Sequence, residues 1–228
     1  MLKCAVDRTR AKESRDQVGA LFLSVLDSAA GMALRRDFRW TAASVQRMYD
    51  ETKQTLSDVM VRSMAADTTG DIRVDYDDTD MIRDTAESAM WMMQSHLREC
   101  GFDFRAAEQE TVWYDPLSMK YMNGDLKSVH RNRLEWAKNE DVIVRVYLLN
   151  LLEYVRQLGF GKTRLSRLYR TVRSEYNAFV EAWLKCDCNI EELYKRHAKK
   201  NISELEKIGI AVEEYGKIIS KKHTKRRS

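Results

Sequence analysis

The run VIVRVYLLNLLEYVRQL, residues 142–158, and the GFGKTRL that follows it at residues 159–165 decide the fold predicted from this sequence. The first part is apolar on nearly every side at helical spacing, which is typical of a buried helix. We predict that this helix spans Asp125–Leu158. Gly159 and Gly161 then break the pattern, because glycine is unfavourable inside helices. A second helix is predicted over Thr163–Lys185, joined to the first by a tight corner.

This second helix has one apolar side and one basic side. The apolar side consists of Leu165, Leu168, Tyr169, Val172, Tyr176, Phe179, Val180 and Trp183. The basic side consists of Lys162, Arg164, Arg167, Arg170 and Arg173. The spacing i, i+3, i+6 predicts that the last three of these arginines lie close to one side of the helix.

The basic side has two interpretations. The planar fork of arginine donates paired hydrogen bonds to phosphate, so the row could bind nucleic acid, or equally an acidic protein surface. It could also be a solvated face balanced by Glu175 and Glu181. The five basic residues are therefore candidate binding residues for nucleic acid or for a protein partner.

The rest of the chain also predicts helices. The sequence has one proline and nine glycines in 228 residues, so few residues interrupt helices. Helical stripes are predicted over Lys12–Leu34, from the N-cap Thr41 to Met64, over Met81–Cys100 with Gly101 as its C′ residue, and in two pieces over Ile190–Lys200 and Ile202–Ile208. Gly31 is predicted to allow close packing, and Phe102–Gly124 to be irregular. The fold class is all-α.

The segment DTTGDIRVDYDDTD, residues 67–80, is predicted to be an acidic loop. Its candidate contact residues are Asp67, Asp71, Asp75, Asp77, Asp78 and Asp80. They would meet a basic protein surface, or simply be solvated. A calcium loop is not favoured, because the segment lacks the glycine and terminal glutamate of that motif.

Charge is distributed unevenly along the chain. Residues 1–128 contain 17 basic and 22 acidic residues, and residues 129–228 contain 22 and 13. We therefore predict two helical subdomains, an acidic one over residues 1–124 and a basic one over residues 125–220, followed by a disordered basic tail at residues 221–228.

No cofactor, metal or catalytic site is predicted. Gly159–Thr163 resembles the end of a phosphate-binding loop, but Arg156 occupies a position that needs glycine, and a helix replaces the required strand. Cys186 and Cys188 are too close for a zinc knuckle. No histidine accompanies a recognisable nucleophile, so the chain is predicted to be non-enzymatic.

Partners and location follow from composition. No apolar stretch of about 18 residues exists, so no membrane span is predicted, and the dispersed cysteines favour a cytoplasmic protein. The run Met90-Trp91-Met92-Met93 covers every face of a helix. Some of these side chains must therefore be exposed or meet a partner. Core packing is the first interpretation of the run, and the interface of a homo-oligomer is the second.

The run VRVYLLNLLEYVRQLGFGKTRLSRLYRTVRSEYNAFVE, residues 144–181, resembles a group of small helical proteins of bacterial prophages and mobile elements. Proteins of that group share a buried helix, a Phe-Gly-Phe-Gly corner and a helix that begins Lys/Arg-Arg-Leu-x-Arg-Phe. Here Leu158 replaces the first phenylalanine and Leu168 the last. The resemblance covers about the last 90 residues and implies no site residues.

Three hypotheses follow. The first is a phage-type protein that binds a host protein or nucleoprotein complex, such as a Cas effector with its RNA or DNA, and acts as an anti-CRISPR inhibitor. The second is a regulator that binds DNA through a helix-turn-helix at the corner. The third is an assembly helper that self-associates through its methionine-rich helix.

Overall fold

The computed structural model describes residues 21–53, 76–111, 128–185 and 193–212. Helices fill nearly all of this part of the chain, which contains no strand, so the predicted all-α fold class is confirmed. In chain order the helices are α1 (residues 21–38), α2 (residues 42–53), α3 (Tyr76–Glu99), α4 (Phe104–Glu110), α5 (Ser128–Gln157), α6 (Lys162–Lys185) and α7 (Lys200–Lys207), with a π-helical turn at Lys195–Lys199 before α7.

Several predicted helix ends are confirmed. Helices α5 and α6 agree with the prediction to within three residues at each end. Thr41 caps α2, because its Oγ1 accepts a hydrogen bond from the backbone N–H of Ser44 at 3.2 Å. The stretch predicted to continue α2 to Met64 lies beyond residue 53 and outside the described residues.

Two segments differ from the prediction. Helix α3 begins at Tyr76, not at Met81, because aspartates in a first turn interact favourably with the positive end of the helix dipole. The segment predicted to be irregular contains α4, whose N-cap Asp103 accepts from the backbone N–H of Ala106 at 3.2 Å. Most of the remaining residues of α4, which are alanine, glutamate and glutamine, have a high helix propensity. Residues 112–124 lie outside the described part of the chain.

The C-terminal prediction of two separate pieces is also corrected. Residues 193–207 are continuously helical, and the π-helical turn Lys195–Lys199 runs directly into α7. Asn201 does not interrupt the helix, because the adjacent Ile202 and also Leu205 are buried and hold this segment on the core.

The core is built on two helices that are buried on most faces. From residue 21 to residue 34, α1 exposes almost no side chain, and even Ser24 and Ser28 are buried. Helix α5 is buried in the same way from Val144 to Val155, as its apolar pattern predicts. All eight residues of the predicted apolar side of α6 are buried as well.

Buried side chains of both predicted subdomains lie in one hydrophobic cluster. Phe22 of α1 contacts three aromatic rings of α6 edge-on, with centroids 5.5–5.8 Å apart; these belong to Tyr176, Phe179 and Trp183. The division at residues 124 and 125 stays a prediction, because that boundary lies outside the described residues.

Three helices end in the same Schellman motif. After α5, the N–H of Phe160 bonds to the carbonyl of Val155 and the N–H of Gly159 to that of Arg156. The same pair of bonds follows α3 at Gly101 and α7 at Gly209. All three glycines have φ between 78° and 88°, where other residues are strained, so the predicted C′ role of Gly101 is confirmed.

Close packing at Gly31 is also confirmed. A Cβ atom on Gly31 would lie 2.1 Å from Oη of Tyr49 and 2.9 Å from Cδ1 of Leu205. Tyr49 donates its hydroxyl hydrogen to the carbonyl of Asp27 on α1. The glycine therefore lets α2 and α7 approach α1 closely.

The methionine-rich run of α3 divides between the core and the surface. Met90 and Met93 pack against the core, whereas Trp91 is 65% exposed and Met92 52% exposed. The prediction that part of this run is exposed is confirmed. None of the described helices combines the length and apolar character needed to cross a membrane.

Candidate functional site

Two helix ends that are distant in sequence meet at one surface. Phe38 ends α1, and Phe160 lies in the corner between α5 and α6; their ring centroids are 5.0 Å apart. Trp40 packs edge-on against Phe160 at 5.8 Å. Arg39, which lies between Phe38 and Trp40 in the chain, has a positive φ of 57°. Arg35 donates a hydrogen bond to the backbone carbonyl of Trp40. These features fix the direction in which the chain leaves α1.

Arginine side chains lie over these rings. The guanidinium carbon of Arg164 is 5.5 Å from the centroid of Phe160, and that of Arg167 is 5.7 Å from the centroid of Phe38. Arg39 joins them around a cleft of about 280 Å³, which we call the corner cleft. Among the described residues that line it, the acidic one is Asp37, whose carboxylate is 3.4 Å from Arg167.

Two more of the predicted basic residues are exposed, and each lies against a neighbouring helix. Arg170 lies 3.3 Å from the carboxylate of Glu110, with both side chains about two-thirds exposed. Lys162 is the first residue of α6. Its side chain passes close to Gly101, since a Cβ atom added to that glycine would lie 3.5 Å from Cδ of Lys162. Its stem therefore crosses the C-terminal end of α3, where a positive charge interacts favourably with the helix dipole.

Arg173 does not belong to this surface. It is 1% exposed, and its guanidinium carbon lies 5.6 Å from the ring centroid of Tyr176. A helix turns about 100° per residue, so each three-residue step falls about 60° short of a full turn. Two such steps carry Arg173 about 120° away from Arg167 and into the core. The predicted row therefore reduces to Arg164, Arg167 and Arg170, which we call the basic row.

The predicted acidic loop is only partly described. Asp77, Asp78 and Asp80 are in the first turns of α3, so the loop conformation predicted for them is wrong. Asp67, Asp71 and Asp75 lie outside the described residues. The carboxylates that flank the basic row are instead Asp37 and Glu110, which sequence spacing could not place there.

A second cleft, of about 280 Å³, continues along α6 from the corner cleft and shares Asp37 with it. The π-helical turn contributes Arg196 and His197 to this second cleft, and α1 contributes Arg36. Burial lowers the pKa of His197, whose ring packs edge-on against Phe179 at 5.6 Å. Arg36 is paired with Glu204 at 2.8 Å. Helix α6 contributes Glu175, so both basic and acidic side chains line this second cleft.

A polar cluster around the buried Glu153, between α3 and α5, has no signal in the sequence pattern. Glu153, 9% exposed, accepts two hydrogen bonds of 2.7 Å from Arg156 and one of 3.2 Å from Gln157. Nδ1 of His96 lies 3.1 Å from the same carboxylate. Burial raises the pKa of Glu153, but the hydrogen bonds from these three partners outweigh it and leave the pKa below its ordinary value.

The described side chains include no group of three or more His, Cys, Asp or Glu residues that could hold a metal ion. The Cys186–Cys188 pair lies outside them. Gly159 follows a helix, α5, where a phosphate-binding loop would follow a strand.

No family model, curated protein or solved structure matches the chain. Exposed ion pairs such as Arg170–Glu110 contribute little stability, about 0–1 kcal/mol. A phosphate that displaced the Glu110 carboxylate from Arg170 would therefore cost the protein little free energy. Together with Arg39, the basic row then offers several guanidinium groups beside aromatic rings.

Proposed function

We propose that this chain is a non-enzymatic accessory protein of a phage or mobile element. It binds a host nucleoprotein machine, and the form we favour is an inhibitor of a CRISPR–Cas nuclease. The observation that carries the proposal is the corner cleft with the basic row beside it. The resemblance of residues 144–181 to small prophage proteins supports the mobile-element origin.

Phosphate recognition is the chemistry that this surface supports best. Arg164 and Arg167 are exposed, and the rings of Phe160 and Phe38 beneath them restrict their positions. Ordered guanidinium groups lose less entropy when they bind phosphate in a bidentate manner. Aromatic side chains beside such groups are typical of proteins that bind single-stranded nucleic acid.

Charge reversal of the basic row tests the proposal. The variant Arg164→Glu, Arg167→Glu, Arg170→Glu should lose binding to a guide-loaded Cas effector and to single-stranded RNA at low salt. Circular dichroism should show unchanged helicity. Because Arg167→Glu would face Asp37, the milder triple replacement by glutamine is measured in parallel.

A control with the same change in charge is available on α7 and the π-helical turn. Lys199, Lys200 and Lys207 are exposed, and their replacement by glutamate should leave binding intact. Equal binding by the basic-row variants and wild type would contradict the proposal, and equal losses in the control would show a general charge effect.

The second candidate is a DNA-binding regulator. The feature that favours it is the exposed, basic first part of α6 directly after a glycine corner, where a recognition helix contacts base edges. A regulator should bind one duplex sequence about 10³-fold or more tighter than others. Binding without sequence preference would reject it.

The third candidate is a self-associating assembly helper, favoured by the exposed Trp91 and Met92 on α3. Light scattering should then show a dimer or larger species that Trp91→Ala converts to monomer. A strict monomer at high concentration would reject it.

A further inference from the structure

Three aromatic rings line the corner cleft, and they differ in what covers them. Guanidinium groups lie over two of these rings, Arg164 over Phe160 and Arg167 over Phe38. The third ring is that of Trp40, and no described cation lies over it. Phe160 is almost completely buried, whereas Trp40 is half-buried. Part of Trp40 is therefore accessible in the wall of the cleft.

The neighbours of Trp40 hold it in a fixed position. Its backbone N–H donates a hydrogen bond to the carbonyl of Leu34 at 3.0 Å, and its own carbonyl accepts one from Arg35. The indole packs edge-on against Phe160 at 5.8 Å and against Tyr154 at 6.4 Å. A side chain that is already ordered loses little entropy when a ligand packs against it, so this arrangement favours binding.

Positive charge lies beside this ring. Arg39 and Arg164 line the cleft and are exposed, and neither forms an ion pair with a described carboxylate. Arg167 is the arginine of the cleft that is paired, with Asp37 at 3.4 Å. The cleft therefore combines an accessible indole with two guanidinium groups whose charge is not neutralised by the described residues.

The size of the cleft limits the ligand to one small planar group. Its volume of about 280 Å³ is just below the usual range for ligand sites, roughly 300–1,000 Å³. Aromatic faces stack with flat rings, and guanidinium groups bind phosphate, so a nucleotide suits both features. In a duplex, neighbouring bases cover each base face, and removing a base from the stack costs free energy. The unstacked bases of a single strand are accessible to aromatic side chains without that cost.

We propose that the corner cleft holds one unpaired base of a single-stranded nucleic acid, stacked on Trp40, while the phosphates beside that base bind the arginines of the cleft. This inference rests on the nucleic-acid binding proposed above and adds the part of the ligand that the cleft recognises. Every base has a π face, so stacking is tolerant of sequence. The cleft therefore selects single strands over duplexes without selecting a sequence.

The test compares two strands that carry the same phosphates. One is an oligouridine of about eight nucleotides, and the other is its abasic counterpart, in which a hydrogen atom replaces each base. Fluorescence anisotropy at low salt should show that wild type binds the oligouridine on the order of ten-fold or more tightly than the abasic strand. Equal affinities would overturn the base site and leave phosphate binding intact. If neither strand binds, the base site and the proposed function both fail.

Two replacements of Trp40 separate stacking from a structural role. Trp40→Leu should lose the preference for oligouridine and keep the affinity for the abasic strand, whereas Trp40→Phe should keep most of the preference because a flat ring remains. The matched control is Trp91→Leu, at a 65% exposed tryptophan outside the cleft, which should bind both strands as wild type does. Equal losses for both strands in Trp40→Leu would show that the indole supports the cleft structurally, and would overturn the stacking contact.

Two further measurements distinguish this inference from the function on which it rests. The basic-row glutamine variant should weaken both strands by a similar factor, and unchanged binding of both strands would contradict phosphate binding by the basic row but not stacking on Trp40. An oligoglutamate peptide offers negative charge without bases, so any binding of it should not depend on Trp40. Peptide binding that falls in Trp40→Leu as oligouridine binding does would assign the cleft to an acidic protein and overturn the base site.

Discussion

Phe38 and Phe160 pack with their ring centroids 5.0 Å apart, although one ends α1 and the other lies between α5 and α6. This contact places Arg39 in the same cleft as Arg164 and Arg167. The binding surface therefore depends on the tertiary fold and does not belong to α6 alone.

The corner should depend strongly on Phe160, which is 5% exposed. Phe160→Ala removes a ring that contacts Phe38 and Trp40 and should lower the free energy of unfolding by about 3–5 kcal/mol. Leu158→Ala is the matched control, since Leu158 is 57% exposed, and should change it by about 0.5 kcal/mol or less. Urea unfolding measures both, and similar losses would contradict the packing described.

Gly159 should be required for its backbone conformation and not for space. Its φ is 88°, and a Cβ would meet no atom within 4 Å. Gly159→Ala should therefore cost about 1–2 kcal/mol of unfolding free energy through backbone strain alone. Gly159→Asn should cost less, because asparagine tolerates this conformation better. Equal losses for the two variants in thermal unfolding would contradict the conformational explanation.

Gly31 should be required for space. Gly31→Ala forces a Cβ against the Tyr49 hydroxyl and should destabilise the protein by about 1–3 kcal/mol, despite the better helix propensity of alanine. Tyr49→Phe removes that hydroxyl oxygen and its hydrogen bond to Asp27. The double variant should be more stable than the sum of the single effects predicts. Additive effects in this double-mutant cycle would contradict the contact.

The Glu153 cluster should make stability depend on acid pH. Its folded pKa lies below the ordinary value, so its contribution is present above about pH 4.3, the unfolded glutamate pKa, and is lost as pH falls through the folded pKa. Glu153→Gln should lower the unfolding free energy at pH 7 by about 2 kcal/mol and flatten the decline toward pH 3. Parallel pH profiles for the variant and wild type would contradict this role.

Local features of the fold were predictable from sequence. The apolar runs of α5 and α6 indicated which faces are buried, and Thr41 and Gly101 marked helix ends because each residue type satisfies backbone groups that helices leave unpaired. The start of α3 was missed because an aspartate-rich segment resembles a loop, although aspartate also suits a first helical turn.

Long-range features were not predictable. Periodicity placed Arg173 beside Arg170, but the drift of three-residue steps around a helix buries it. No local pattern indicates that Phe38 meets Phe160, or that His96 meets Glu153 across 57 positions. The candidate clefts form from such contacts. The sequence therefore indicated the basic residues and the helix corner at one cleft, but not the α1 residues that complete it.

The salt dependence of RNA binding reports how many phosphates the basic row contacts, because each contact releases counterions. Affinity for a single-stranded RNA is measured between about 50 and 200 mM salt. Three proteins are compared: wild type, the basic-row glutamine variant, and a control in which the exposed Lys199, Lys200 and Lys207 are replaced by glutamine, so that both variants lose the same charge. Three phosphate contacts predict that the wild-type slope of log affinity against log salt is steeper than that of the basic-row variant by about 2, with the control equal to wild type. Identical slopes for wild type and the basic-row variant would contradict phosphate binding by Arg164, Arg167 and Arg170.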